Sequence, residues 1–100
     1  MAEEEPINWE LISYILASEW RFKLLLELSS GTKTPSQLAE SLRIQISYTS
    51  KTLKELATKK CCVCLTPKRR KYKIYKITKL GENVLKEIHE LTNLEEKPNT

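Results

Sequence analysis

Four consecutive cations, Lys68, Arg69, Arg70 and Lys71, form the densest chemical cluster in the chain, and they follow Pro67 with no glycine among them. Like charges this close repel one another and do nothing for a folded chain. A polyanion is the partner their chemistry suits. If all four met phosphates, they would add about −3.6 to the slope of log affinity against log salt, at about −0.9 per contact. The competing reading is protection of an edge strand by charge, which asks for fewer cations spread along the strand. Upstream, residues 45–59 have helical spacing, with Thr49, Leu53 and Leu56 on an inner side. Ser47, Ser50, Lys51 and Lys54 occupy the opposite side. Serine can hydrogen-bond several bases, and lysine can take guanine or phosphate.

Between these two groups lie Cys61, Cys62 and Cys64. Three thiols make an odd number, which does not describe a disulfide framework. Cys62-Val63-Cys64 spells Cys-x-Cys, and thiolates suit soft metals. A tetrahedral site needs further ligands, however, and His89 is distant in sequence. The plainer reading is that free cysteine acts as a small hydrophobe. A disulfide among Cys61, Cys62 and Cys64, within or between chains, is the alternative, and it gains weight only in a hyperthermophile. No metal and no other cofactor is assigned. The chain lacks a Ser/His/Asp set, a carboxylate pair in an apolar setting and a phosphate-binding glycine loop, so its residues point away from an enzyme and indicate no small-molecule substrate.

The charges are segregated along the 100 residues. Residues 1–30 carry two cations against six anions, residues 31–79 thirteen against two, and residues 80–100 two against five. The net values are −4, +11 and −3, so the overall +4 conceals a strongly basic middle. A basic block between acidic flanks focuses a positive field on one part of the surface. No apolar run approaches the ~20 residues of a membrane span, and the Met-Ala-Glu-Glu-Glu start has the wrong charge for a signal peptide, so a cytoplasmic protein is expected, with no membrane partner. The length suits one domain, residues 1–100, with little margin of core.

The elements that must present the cations can be placed from caps and periodicity. Residues 1–6 and the tail beyond residue 92 read as loose. Asn8 can cap a first helix running to about residue 17, with Ile7 packed on Ile12 as a staple and Trp9, Ile12, Ile15 and Leu16 on one side. Ser18 can cap a second, residues 19–28, with Phe22, Leu25, Leu26 and Leu28 as its apolar bulk. Thr34, Pro35 and Gln37 combine an N-cap, a first-turn proline and a capping box, predicting a short helix over 35–42 that faces inward through Leu38, Ala39 and Leu42. The basic helix follows after a tight turn. From residue 61 the period changes to two, predicting strands over 61–66 and 72–77 joined at 67–71. Thr78 can cap a last helix whose apolar stripe is Leu80, Val84, Leu85, Ile88 and Leu91.

This order, α-α-α-α-β-β-α, mainly helical with one small β-hairpin, resembles the winged helix-turn-helix transcriptional regulators of the MarR and ArsR kind, including small archaeal and archaeal-virus members. The resemblance spans about residues 18–91. It rests on Ser-Glu-Trp-Arg-Phe-Lys-Leu-Leu from residue 18, Thr-Pro-Ser-Gln-Leu-Ala-Glu-Ser-Leu from 34, Ser-Lys-Thr-Leu-Lys-Glu-Leu from 50 and Tyr-Lys-Ile-Thr-Lys-Leu-Gly from 75. It implies binding of double-stranded DNA, with Gln45, Ser47, Tyr48, Ser50, Lys51 and Lys54 facing the major groove and Lys68, Arg69, Arg70 and Lys71 on a neighbouring groove. Gln45 could pair with adenine edges, while Tyr48 could equally pack against the wing. Thr34 and Ser36 could hold a phosphate alongside the free amides at their helix start. Two departures stand out: Lys59-Lys60 occupies a helix end where the family often has glycine, and the wing tip has Pro67 and cations where glycine or aspartate is common. Surplus apolar residues at both ends predict a homodimer through Trp9, Ile12 and Leu16 with Leu85, Ile88 and Leu91. The alternatives are a winged-helix adaptor that binds protein, or a thiol- or metal-responsive regulator.

Overall fold

A computed structural model describes residues 8–96, and side-chain surroundings for residues 8–92. The expected staple at Ile7, the loose start at 1–6 and the tail at 97–100 lie outside the described residues. Five helices and one hairpin follow in the expected order: α1 (Trp9–Leu16), α2 (Glu19–Leu28), α3 (Pro35–Leu42), α4 (Ile46–Thr58), β1 (Cys62–Cys64), β2 (Tyr75–Ile77) and α5 (Lys79–Glu96).

The helix starts are set by side-chain caps. Asn8 Oδ1 accepts from the Leu11 amide at 3.0 Å and Ser18 Oγ from the Arg21 amide at 3.4 Å. The capping box of α3 is complete, with the Gln37 amide donating to Thr34 Oγ1 at 3.1 Å and the Thr34 amide to Gln37 Oε1 at 2.9 Å. At α5 the Gly81 amide donates to Thr78 Oγ1 at 3.1 Å. That helix continues through Glu96, so residues 93–96 are helical rather than loose.

The core joins Leu11, Ile12 and Ile15 of α1 to Leu24, Leu25 and Leu28 of α2, Leu38 of α3, Leu53 and Leu56 of α4, and Val84 and Ile88 of α5. Leu24 takes the inward place expected of Leu26, which is exposed. Two expected interface residues belong to this core: Ile12 is 3% exposed and Ile88 5%, because α1 and α5 pack on each other and both on α2. Gly81 is buried where α5 crosses the chain leaving α4, and a Cβ there would fall on the Cys61 carbonyl oxygen.

Arg21 of α2 adds a polar link from α2 to α1 and α4. Arg21 Nη1 donates to the Tyr14 carbonyl at 2.8 Å, and its guanidinium lies 3.8 Å over the Tyr14 ring. Its Nε lies 3.5 Å from Glu55 Oε1 on α4. Lys59 Nζ approaches the same ring, 4.9 Å from the centroid. Cation–π pairing and charge-assisted hydrogen bonding thus converge where α1, α2 and α4 meet.

The hairpin is shorter than predicted. Antiparallel pairing is confined to Cys62 with Ile77, Val63 with Lys76 and Cys64 with Tyr75. Tyr75 also bridges to Lys33, which ties the segment before α3 to the outer edge of β2. Beyond the ladder the Leu65 amide still reaches the Ile74 carbonyl at 2.7 Å and the Ile74 amide Thr66 Oγ1 at 3.0 Å. The cationic segment then turns without regular pairing, closed by the Arg69 amide donating to the Thr66 carbonyl at 3.1 Å.

Candidate nucleic-acid interface

α3 and α4 form the helix-turn-helix. Arg43 makes the turn between them in a left-handed conformation, φ 59°. Gln45 is the N-cap of α4 by backbone geometry, yet its side chain makes no capping hydrogen bond, so the fold leaves its amide unspent. Ser47, Tyr48, Lys51 and Lys54 are exposed on the outer side of the helix and Ser50 is half-buried. The inner side is Thr49, Thr52, Leu53 and Leu56. Thr49 is accommodated because its hydroxyl donates to the Gln45 carbonyl at 3.0 Å.

Lys60 answers the missing glycine at the end of α4. It adopts φ 64°, the left-handed ending that glycine ordinarily supplies. Its amide donates to the Ala57 carbonyl at 2.9 Å and its carbonyl accepts from Thr78 Oγ1 at 2.7 Å. A lysine thus bears the strain while both backbone groups are satisfied.

Between the helix-turn-helix and the hairpin runs an open groove of about 450 Å³. Thr34, Pro35 and Ser36 form its end at the start of α3, and Ile46, Ser50 and Lys54 form one wall. Arg70, Lys71, Tyr72, Lys73 and Tyr75 form the other. Lys54, Arg70, Lys71 and Lys73 therefore face one space, and no carboxylate lines it. The groove brings together three regions that are separate in sequence.

Individual roles differ from the uniform expectation. Arg69 Nη1 donates to the Tyr72 carbonyl at 3.2 Å, so this cation braces the loop. Lys68, Arg70 and Lys71 are exposed and make no ion pair or hydrogen bond among the described residues. At α3 the amides expected to be free are partly taken. Thr34 and Gln37 satisfy each other and Pro35 has no N–H, which leaves Ser36 as the donor at that helix start. Pro35, Ile46, Tyr72, Lys73 and Tyr75 line the groove but were not among the expected contacts. The signal for Tyr72 was an aromatic directly after four cations; Ile46 and Lys73 carried none that periodicity could read.

The thiols sit behind this surface. Cys61 and Cys62 are buried, Cys64 is half-buried, and all three are free, so no disulfide joins them within the chain. Cys62 Sγ lies 3.6 Å from the Leu53 carbonyl. Burial pushes the Cys62 thiol up to about 12, with Cys61 and Cys64 adding to the effect. Burial also raises Cys61, partly countered by Lys59. Tyr75 is raised by burial first, then by Cys64 and Cys62. Both shifts favour the protonated thiol, the less nucleophilic form. Among the described residues no three His, Cys, Asp or Glu side chains gather as a metal site. Nor is any described helix long and apolar enough to cross a membrane.

The profile of one family, HxlR-like helix-turn-helix, matches residues 15–99. No curated protein sequence matches the chain. Among solved structures, RV1404 from Mycobacterium tuberculosis superposes with a TM-score of 0.69 at 23% identity, over 88% of this chain and 66% of that one. A mutant MarR from E. coli complexed with operator DNA gives 0.71 at 22% identity, over 86% and 63%. A possible transcriptional regulator for arsenical resistance gives 0.64 at 21%, over 89% and 97%. The chain thus spans just under two thirds of the length of the first two proteins. At these identities the likeness is one of fold, the winged helix. The profile match over most of the chain goes further: the protein belongs to the HxlR-like helix-turn-helix family.

Proposed function

We propose that this protein is a sequence-specific double-stranded DNA-binding regulator of transcription. The observation that carries this reading is the groove walled by α4 and the hairpin, which holds four cations and no carboxylate. α4 enters the major groove, with Gln45, Ser47, Ser50 and Lys51 at base edges and Tyr48 beside them. Lys54, Lys68, Arg70, Lys71 and Lys73 take phosphates, with Ser36 and Thr34 at the start of α3. Arg69 shapes the wing. The solved complex of a MarR protein with operator DNA supports the reading, because the fold is shared.

The chain acts as one winged-helix unit and pairs with a second copy. Trp9, 55% exposed, and Leu16, 51% exposed, leave apolar surface on α1, and α5 beside it offers the half-buried Leu85 and Leu91. A two-fold pair reads two half-sites about one helical turn, ~10 base pairs, apart. Such a role is non-catalytic and requires access to DNA, hence a cytoplasmic location.

The test is duplex binding as a function of salt, using duplexes enriched from a random pool. With five cations on phosphates per chain, at about −0.9 each, the slope of log affinity against log salt should be about −4.5 per chain. Two related half-sites should emerge in the enriched pool. Absence of salt-sensitive duplex binding overturns the reading in favour of a protein-binding adaptor.

A further inference from the structure

Tyr72 is 77% exposed, more than any other large apolar side chain among the described residues. Its backbone is left-handed, φ 58°, a conformation that glycine adopts freely and an aromatic residue only at a cost. The peptide that follows is held, since Arg69 Nη1 donates to the Tyr72 carbonyl at 3.2 Å. Arg70, Lys71 and Lys73 surround it in sequence and share its wall of the groove. None of them lies over its ring; the cation-bearing rings among the described residues are those of Tyr14 and Trp20. The protein therefore holds a large ring in water, on left-handed backbone whose carbonyl is bound by an arginine.

The bond to the carbonyl braces the loop, but the exposed ring takes no part in the core. Strain of this kind persists where surrounding structure imposes it, and it collects at binding sites. The occupant must accept both cations and an apolar ring within a few residues. A duplex does so: its phosphates pair with the flanking cations, while deoxyribose and base edges between them form an apolar wall. An anionic protein surface would match the charge but would not need the ring.

We infer that Tyr72 is a DNA-contacting residue, its ring packing on the sugar and base wall of the groove that the wing enters. This rests on the DNA-binding reading above. The contact is apolar, so it contributes affinity without releasing counterions. In this respect it differs from every cation beside it.

The experiment measures affinity for the duplex enriched by the wild-type protein, across a salt series, together with Tm. Tyr72→Ala should weaken binding about tenfold, in the range of aromatic contacts to nucleic acid, with the salt slope unchanged. Tyr72→Phe keeps the ring and should stay within about twofold of wild type on the same scale. Tyr72→Gly removes the ring and relieves the backbone, so it should lose the same tenfold while Tm holds or rises. A Tyr72→Ala protein that binds as wild type does would overturn the inference and leave the DNA reading intact. So would a Tyr72→Gly protein that loses Tm along with affinity, which marks a structural role, or a loss of affinity accompanied by a flatter slope, which assigns the effect to the cations. Wild-type protein that binds no duplex removes both readings together.

Discussion

Arg21 and Arg70 carry the same charged group into opposite circumstances. Arg21, at the meeting of α1, α2 and α4, stacks on Tyr14, donates to its carbonyl and approaches Glu55. Arg70, on the wing, is exposed beside Lys71 and makes no such contact among the described residues. In the body, cations are absorbed by the structure; on the wing they are repelled by their neighbours and face an open groove. The difference separates cations that the fold uses from cations that it leaves exposed. Arg69 shows that the division runs residue by residue, because it lies within the basic cluster yet braces the loop.

The largest effect that can break this comparison comes from the wing. Arg70→Ala with Lys71→Ala should cost about a hundredfold in duplex affinity near ~0.1 M salt, at roughly tenfold for each charge-assisted contact. The salt slope should shrink by about 1.8, two contacts' worth. Tm should hold or rise slightly, since removing adjacent like charges relieves repulsion. A marked fall in Tm on this double replacement would make the wing cations structural and erase the contrast with Arg21.

How far the two regions were legible in the sequence differs for a physical reason. Helix starts are local: Thr34, Pro35 and Gln37 lie within one turn, so their capping box could be read directly, as could Asn8, Ser18 and Thr78. The absence of glycine at Lys59-Lys60 marked that helix end as unusual without fixing the left-handed conformation that Lys60 takes. Arg21 was illegible, because its partners lie 7 and 34 residues away and meet only after three helices pack. Ile12 and Ile88 were misplaced for the same reason; periodicity finds an apolar stripe but not whether its own chain or another covers it. On the wing, composition disclosed the charge but not the geometry: neither the bond from Arg69 to the Tyr72 carbonyl nor the exposed, left-handed Tyr72 could be read from it.

A middle-sized effect sharpens the other side of the comparison. Arg21→Ala removes a cation–π contact and a hydrogen bond from a charged donor, which should cost about 1–2 kcal/mol. In a chain of this length that corresponds to a Tm lower by roughly 4–16 °C. Arg21→Lys should recover less than half, since an ammonium cannot stack on Tyr14 and still donate sideways to two partners. Well below Tm, the salt slope of duplex binding should be that of the wild type. A changed slope with unchanged Tm would mean that this arginine, too, meets DNA.

The smallest effect comes from Lys60, where the two regions share a backbone feature. Lys60 and Tyr72 both hold a left-handed φ, 64° and 58°. At Lys60 the conformation serves the fold: it ends α4, keeps the amide on Ala57 and the carbonyl under Thr78. Glycine can adopt it without a Cβ clash, so Lys60→Gly should raise stability by about 0.5–1 kcal/mol, the gain being trimmed by the greater freedom of glycine in the unfolded chain. Thermal unfolding should register this as a Tm higher by roughly 2–8 °C. Duplex affinity should move little, because Lys60 lies outside the groove. At Tyr72 the same replacement relieves the same strain but removes a ring that nothing in the fold uses, so binding should be lost while stability is kept. If Lys60→Gly also lost binding without losing Tm, a left-handed residue on this surface would no longer distinguish a structural turn from a contact, and the reading of Tyr72 would have to stand on its exposed ring alone.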